Sequence, residues 1–109
     1  MTASNQIDYP KFIQLLQWHM KEGTDGAVIL GTTGEASTIS MNERTEIIKL
    51  AVQTVNKKFP IIVGAGTIEP KKVIELSQNA LDCGADATLL ITPYYGNLLF
   101  IFIIINIIF

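Results

Sequence analysis

Cysteine is almost missing from this chain: Cys83 stands alone among 109 residues. A single thiol excludes an internal disulfide and leaves no spacing of the zinc-binding kind, so a reduced compartment is expected. Basic charge is scarce as well. Eight Lys and Arg against ten Asp and Glu give a net charge of −2, with no block of one sign. Without a basic stripe, and with no aromatics alternating with Lys or Arg, a nucleic-acid surface is not expected. No charged stretch followed by an apolar one opens the chain, so no secretory signal is visible. Long apolar runs are absent until the last twelve residues, 98–109, which are apolar except for Asn106.

What is present is a regular alternation. Asp8 is a plausible helix N-cap, and Pro10 fits the first turn, where a missing N–H costs nothing. Phe12, Leu15, Leu16, His19 and Met20 recur at helical spacing, and Gly23 is a stop signal. AVIL at 27–30 is short and bounded by glycines, which predicts a strand. Ser40 and Glu43 match the capping box at the head of a second helix, carried by Ile47, Ile48, Leu50, Ala51 and Val55 to about Lys57. Pro60 introduces IIVGAG at 61–66, a β-branched run. Pro70 opens a third helix with Val73, Ile74, Leu76, Ser77, Ala80 and Leu81 on its inner stripe, ended by Gly84. ATLLI at 87–91 predicts a third strand.

Each predicted strand is apolar throughout, the pattern of a parallel strand covered on both sides. EGTDGAVIL at 22–30 and CGADATLLI at 83–91 also echo one another, as repeated β/α units do. A TIM barrel and a doubly wound sheet both produce this pattern. At 109 residues there is room for one domain.

Functional residues in parallel α/β folds gather just after the C-terminal ends of strands. Those positions read GTTGEAST at 31–38, GAGTIEP at 64–70 and TPYYGN at 92–97. The first offers hydroxyls and backbone amides to a carboxylate or phosphate oxygen, although a plain turn accounts for its composition as well. The second lacks the third glycine of a dinucleotide fingerprint, since position 69 is Glu, so turn glycines are the better reading. The third places two phenols at a strand end. A tyrosine held by a hydroxyl such as that of Thr32 can relay a proton, and aromatic packing at a rim explains the pair equally. His19, on an apolar stripe, is read as a packed histidine, and Cys83 as a small buried residue. Glu35 is read as holding the threonine loop through bonds to backbone amides.

Gly31-Thr32-Thr33-Gly34-Glu35 with Thr38 and Glu43-Arg44, then the strand at 61–66, then Ala85-Asp86-Ala87 through Thr92-Pro93-Tyr94-Tyr95, resemble the dihydrodipicolinate synthase and N-acetylneuraminate lyase family over residues 6–96. The double threonine and the Tyr-Tyr pair favour the synthase branch. The resemblance implies a TIM barrel, of which this chain would supply about three β/α units, strands two to four. It implies a cytoplasmic lyase, or a plastid one in plants, that condenses pyruvate with aspartate semialdehyde in lysine biosynthesis by way of the diaminopimelate pathway. Pyruvate is then held as a lysine Schiff base, as in class I aldolases. No cofactor, metal, nucleic acid or membrane is implied, and a homodimer or homotetramer is. By the same resemblance Thr32 and Tyr95 belong to a proton relay, Thr33 and Gly31 bind substrate, and Tyr94 lies near a subunit interface.

Lys11, Lys21, Lys49, Lys57, Lys58, Lys71 and Lys72 all fall on predicted helices or at their ends. A Schiff-base lysine must point inward from a strand with a lowered pKa. None qualifies, and a full barrel needs about 250 residues, so this stretch is expected to be inactive alone. Another pyruvate-dependent aldolase, such as N-acetylneuraminate lyase, and a non-catalytic assembly module are the alternatives. Residues 1–97 are expected to form the partial barrel. The run at 98–109 is too short for a span of about 20 residues. Built from Ile, Phe, Leu and Asn alone, it has the composition of translated AT-rich noncoding sequence and is expected to lie outside the family fold, as a β-prone aggregation hazard.

Overall fold

The computed structural model describes residues 1–2 and 6–91. Asp8 caps the first helix, α1 (Tyr9–Lys21), its carboxylate accepting from the Lys11 amide at 3.0 Å. Pro10 lies in the first turn, where it removes only a donor that has no intrahelical partner. Gly23 then takes a φ of 76°, reversing the chain into β1 (Ala27–Ile29). The second helix, α2 (Met41–Val55), opens on the full capping box between Ser40 and Glu43. It stops at Asn56, whose φ of 47° is left-handed. β2 (Ile61–Gly64), α3 (Pro70–Asp82) and β3 (Ala87–Leu89) complete the order.

The three strands form one parallel sheet in sequential order, with Ile29 beside Val63 and Val63 beside Thr88. Side chains alternate across a strand, so Ile29, Ile61 and Val63 share one face. That face is buried against Leu16 of α1, Ile47, Ile48, Ala51 and Val55 of α2, and Ala80 of α3. Ile48, Ala51, Val63 and Ala80 lose all contact with water. Burying an aliphatic side chain of this size contributes roughly 1.5–3 kcal/mol, which makes this layer the main source of cohesion.

The opposite face corrects one expectation. Val28 is 52% exposed and Leu89 48% exposed, so among the described residues the sheet is covered on one side, not both. The uniform apolarity of the strands concealed this. Val28 and Ile62 face away from the helices, and no described element packs over them. A similar correction applies to α3. Val73 and Ala80 are buried, but Ile74 is 42% and Leu81 66% exposed, so the inner stripe is narrower than the sequence suggested. Leu15 of α1 is likewise exposed.

The strands are also shorter than expected. β1 ends one residue early because Leu30 adopts a left-handed φ of 54°, costly for a non-glycine residue and typical of functional loops. β2 ends at Gly64 and β3 at Leu89. Asp86, the acid of the CGAD echo, accepts from the Ile61 amide at 2.8 Å while its own amide donates to the Ile61 carbonyl at 3.0 Å. This pair sets β3 against the start of β2. Thr92, Pro93, Tyr94, Tyr95 and the run at 98–109, and the expectations placed on them, lie outside the described residues.

Candidate functional site

Because the strands are parallel, their C-terminal ends meet at one end of the sheet. There a pocket of about 730 Å³ opens between the threonine loop, the head of α2, the loop after β2 and the end of β3. Gly31 and Thr32 line it, whereas Thr33 does not.

The threonine loop is two short 3-10 turns, Thr32–Gly34 and Ala36–Thr38, joined at Glu35. Gly34 N donates to Gly31 O and Glu35 N to Thr32 O, both at 3.0 Å. Glu35 itself is left-handed at φ 54°. Its carbonyl accepts from both the Thr38 amide, at 2.9 Å, and the Thr38 hydroxyl, at 2.8 Å. The expectation for Glu35 therefore holds only for its backbone: the exposed carboxylate makes no hydrogen bond among the described residues. The hydroxyls of Thr32 and Thr33 are likewise unbonded there. They are donors and acceptors held on a fixed backbone and left open, which suits an oxyanion such as a carboxylate.

Gly64, which ends β2, and Gly66 in the loop after it have a packing reason. A Cβ on Gly64 would run into the Leu30 carbonyl, and one on Gly66 into Ile91. Close approach of the three strand ends demands the missing side chains, consistent with turn glycines and not with a phosphate cradle.

Arg44, named in the sequence only as part of the family motif, is the residue to which no role was assigned. It is 4% exposed, buried on the inner face of α2, and its Nη2 donates to the Gly64 carbonyl at 2.6 Å. Burial lowers the guanidinium pKa, with only the Cys83 thiol opposing that shift. Among the described residues its Nε has no partner. A signal was available, because Arg44 falls at helical spacing with Ile47, Ile48, Ala51 and Val55, on the stripe that α2 buries.

Elsewhere the readings are plainer. His19 is half-buried, its Nδ1 3.0 Å from the Thr24 hydroxyl near the start of β1. Cys83 caps α3 and lies 3.9 Å from the Thr45 carbonyl. All seven lysines lie on the helices or just beyond α2. Among the described residues, no three His, Cys, Asp or Glu side chains converge as metal ligands would. No described helix is long and apolar enough to cross a membrane.

Comparison with known proteins gives one consistent answer. The model of the dihydrodipicolinate synthetase family matches residues 1–100. A 4-hydroxy-tetrahydrodipicolinate synthase of Coxiella burnetii is 50% identical over 96 residues, which is 88% of this chain and 33% of that protein. Among solved structures, the chloride-inhibited dihydrodipicolinate synthase of Acinetobacter baumannii, complexed with pyruvate, superposes with a TM-score of 0.84 at 46% identity. The match covers 87% of this chain and 33% of that one. A prophage protein of the same family from E. coli, in complex with pyruvate, gives a TM-score of 0.81 at 37% identity, covering 90% and 33%. The chain thus spans about a third of the length of the relatives it matches.

Proposed function

Because the chain belongs to the dihydrodipicolinate synthetase family, we propose that it is the part of a 4-hydroxy-tetrahydrodipicolinate synthase that carries the pyruvate-carboxylate loop and one arm of a proton relay. On this reading residues 1–97 form one side of a TIM barrel, strands two to four, and residues 98–109 lie outside it. The observation that carries the reading is the threonine loop at the C-terminal ends of the strands, where Gly31 and Thr32 line the pocket and the Thr32 hydroxyl is unbonded among the described residues. The relatives named for this activity, and those seen with pyruvate, support it.

Each residue then has a distinct task. Gly31 and Thr33 hold the pyruvate carboxylate, Thr33 by its hydroxyl and amide. A carboxylate received by neutral donors keeps its charge, and it is held while the reacting carbon is turned towards the lysine. Thr32 passes a proton to and from Tyr95 as the Schiff base forms and the product cyclises. Relays of this kind contribute roughly 10²–10⁴ in rate. Tyr94 lies towards a neighbouring subunit in a homodimer or homotetramer, and aspartate semialdehyde is the second substrate.

On this reading the Schiff-base lysine lies on another part of the barrel, which is supported by the placement of all seven lysines of this chain on helices or at helix ends. Lys72, the one lysine lining the pocket, comes from α3 and is paired with Glu75. Two experiments test the reading together. Borohydride reduction of this chain with labelled pyruvate is expected to leave it unlabelled, and stoichiometric labelling would overturn the assignment. In a complete barrel carrying this segment, Thr32→Val is expected to lower kcat by about 10²-fold or more, while Thr33→Val chiefly raises the KM for pyruvate. Unchanged kinetics in both variants would remove the proposed roles.

A further inference from the structure

Leu30 holds a backbone conformation that leucine does not favour. Among the described residues, the residues other than glycine with a positive φ are Leu30, Glu35, Asn56 and Lys57. Asn56 and Lys57 lie in the turn that ends α2, and Glu35 joins the two 3-10 turns. All three are exposed. Leu30 alone is buried, at 7% exposure, and its side chain has no polar group to support the conformation by a local hydrogen bond. A left-handed residue of this kind persists only where its surroundings fix it, and such residues gather at functional sites.

Both halves of the residue are fixed. Ile29 and Leu30 are consecutive, yet both belong to the buried cluster. Consecutive residues of an extended strand point to opposite faces. An extended Leu30 would therefore share the open face with Val28, which is 52% exposed. The left-handed step ends β1 and returns the side chain to the core. It also sets the Leu30 carbonyl against Gly64, where no side chain fits. With side chain and carbonyl both held, the chain passes directly into Gly31 and Thr32, which open the threonine loop.

We propose that Leu30 is a positioning residue for Thr32. Its left-handed backbone, locked by a buried and unbranched side chain, sets the direction in which the chain leaves β1, and with it the place of the Thr32 hydroxyl in the pocket. This role rests on the reading of Thr32 as a relay member, and it acts through the backbone, not by contact with the reacting atoms. Two properties of the side chain are then needed and can be separated. One is apolar bulk. The other is an unbranched Cβ, because a β-branched residue is a genuine outlier in the left-handed region. Isoleucine has the same atoms as leucine and keeps the bulk, but it branches at Cβ. Asparagine does the reverse, accepting the left-handed region better than most residues while bringing no apolar bulk.

The test is kcat at saturating substrates for Leu30→Met, Leu30→Asn and Leu30→Ile in a complete barrel carrying this segment. Backbone chemical shifts of the 109-residue chain read the angle at residue 30 in parallel. The Met and Asn variants are expected to keep the positive φ and a kcat within about threefold of the parent, the Asn variant at a lower denaturant midpoint. The Ile variant is expected to lose the positive φ and about tenfold or more in kcat, as a displaced catalytic group does. A role in core packing alone gives the opposite order, with Asn the worst and Ile near the parent. That order would overturn the proposal, as would a negative φ at Leu30 in the parent chain. Should Leu30→Ile not fold, the Asn variant decides: retained kcat supports the role, and a loss of about tenfold overturns it. Thr32→Val in the same barrel keeps the underlying reading separate. A parental kcat there removes the relay, whereas a parental kcat in Leu30→Ile removes only the positioning role.

Discussion

Gly64 is the most constrained residue of the site. Its carbonyl accepts from Arg44, and its Cα faces the Leu30 carbonyl so closely that no side chain fits. The obstacle is backbone, so it cannot swing aside as a flexible side chain would. Gly64→Ala is expected to destabilise the chain by about 1–3 kcal/mol, read as a lower denaturant midpoint with an unchanged slope. Stability equal to the parent would show that the strand ends are not in contact. The sequence made Gly64 legible as a turn glycine, but not its reason, since close approach depends on a strand more than thirty residues earlier. Arg44 was hidden for a related cause. Arginine is expected on a surface, and only its register with Ile48 and Ala51 showed otherwise. Leu30 gave no warning either, because nothing in AVIL marks a left-handed residue.

Helix bounds were the easiest feature to read, because their signals are local. Asp8 and Pro10, Ser40 and Glu43, and Pro70 each act within a turn of where they stand. Contacts between elements were not legible. Tyr9 at the head of α1 donates its hydroxyl to Glu46 of α2 at 2.8 Å. This bond, and the adjacent negative charge, push the phenol up to about 12. The unfolded phenol titrates near 10, so the folded state favours the protonated form. The stabilisation is complete below pH ~10 and is lost as pH rises from there through about 12. In an alkaline titration followed by phenolate absorbance, one of the three tyrosines is expected to ionise late, and Tyr9→Phe to abolish that step. Three steps at ordinary pH would show that the helices are not linked here. The Glu43 carboxyl works in the other direction. The Ser40 hydroxyl, and then its amide, hold it below the usual range, so its part in the cap fades only as the solution becomes acidic.

For the molecule as a whole, the periodicity identified parallel β/α units, and the motifs identified the family. Neither could show which sheet face lacks a cover. Val28 and Leu89 present apolar surface on that face, with Ile91 just beyond β3. Exposed apolar patches of this kind bind other apolar surfaces. The isolated chain is expected to bind a hydrophobic dye such as ANS, and Val28→Lys with Leu89→Lys to reduce both dye fluorescence and self-association. Unchanged fluorescence would place the apolar surface elsewhere.

The joint at Gly64 carries a mechanical meaning as well. Arg44 on α2 grips the Gly64 carbonyl, Gly64 abuts Leu30, and Leu30 leads within two residues to Thr32. These contacts form a short series of close approaches. From the Gly64 carbonyl onwards, the path from α2 to the threonine loop therefore runs along backbone. The fold thereby hangs the threonine loop on the same backbone joint that anchors the buried end of α2.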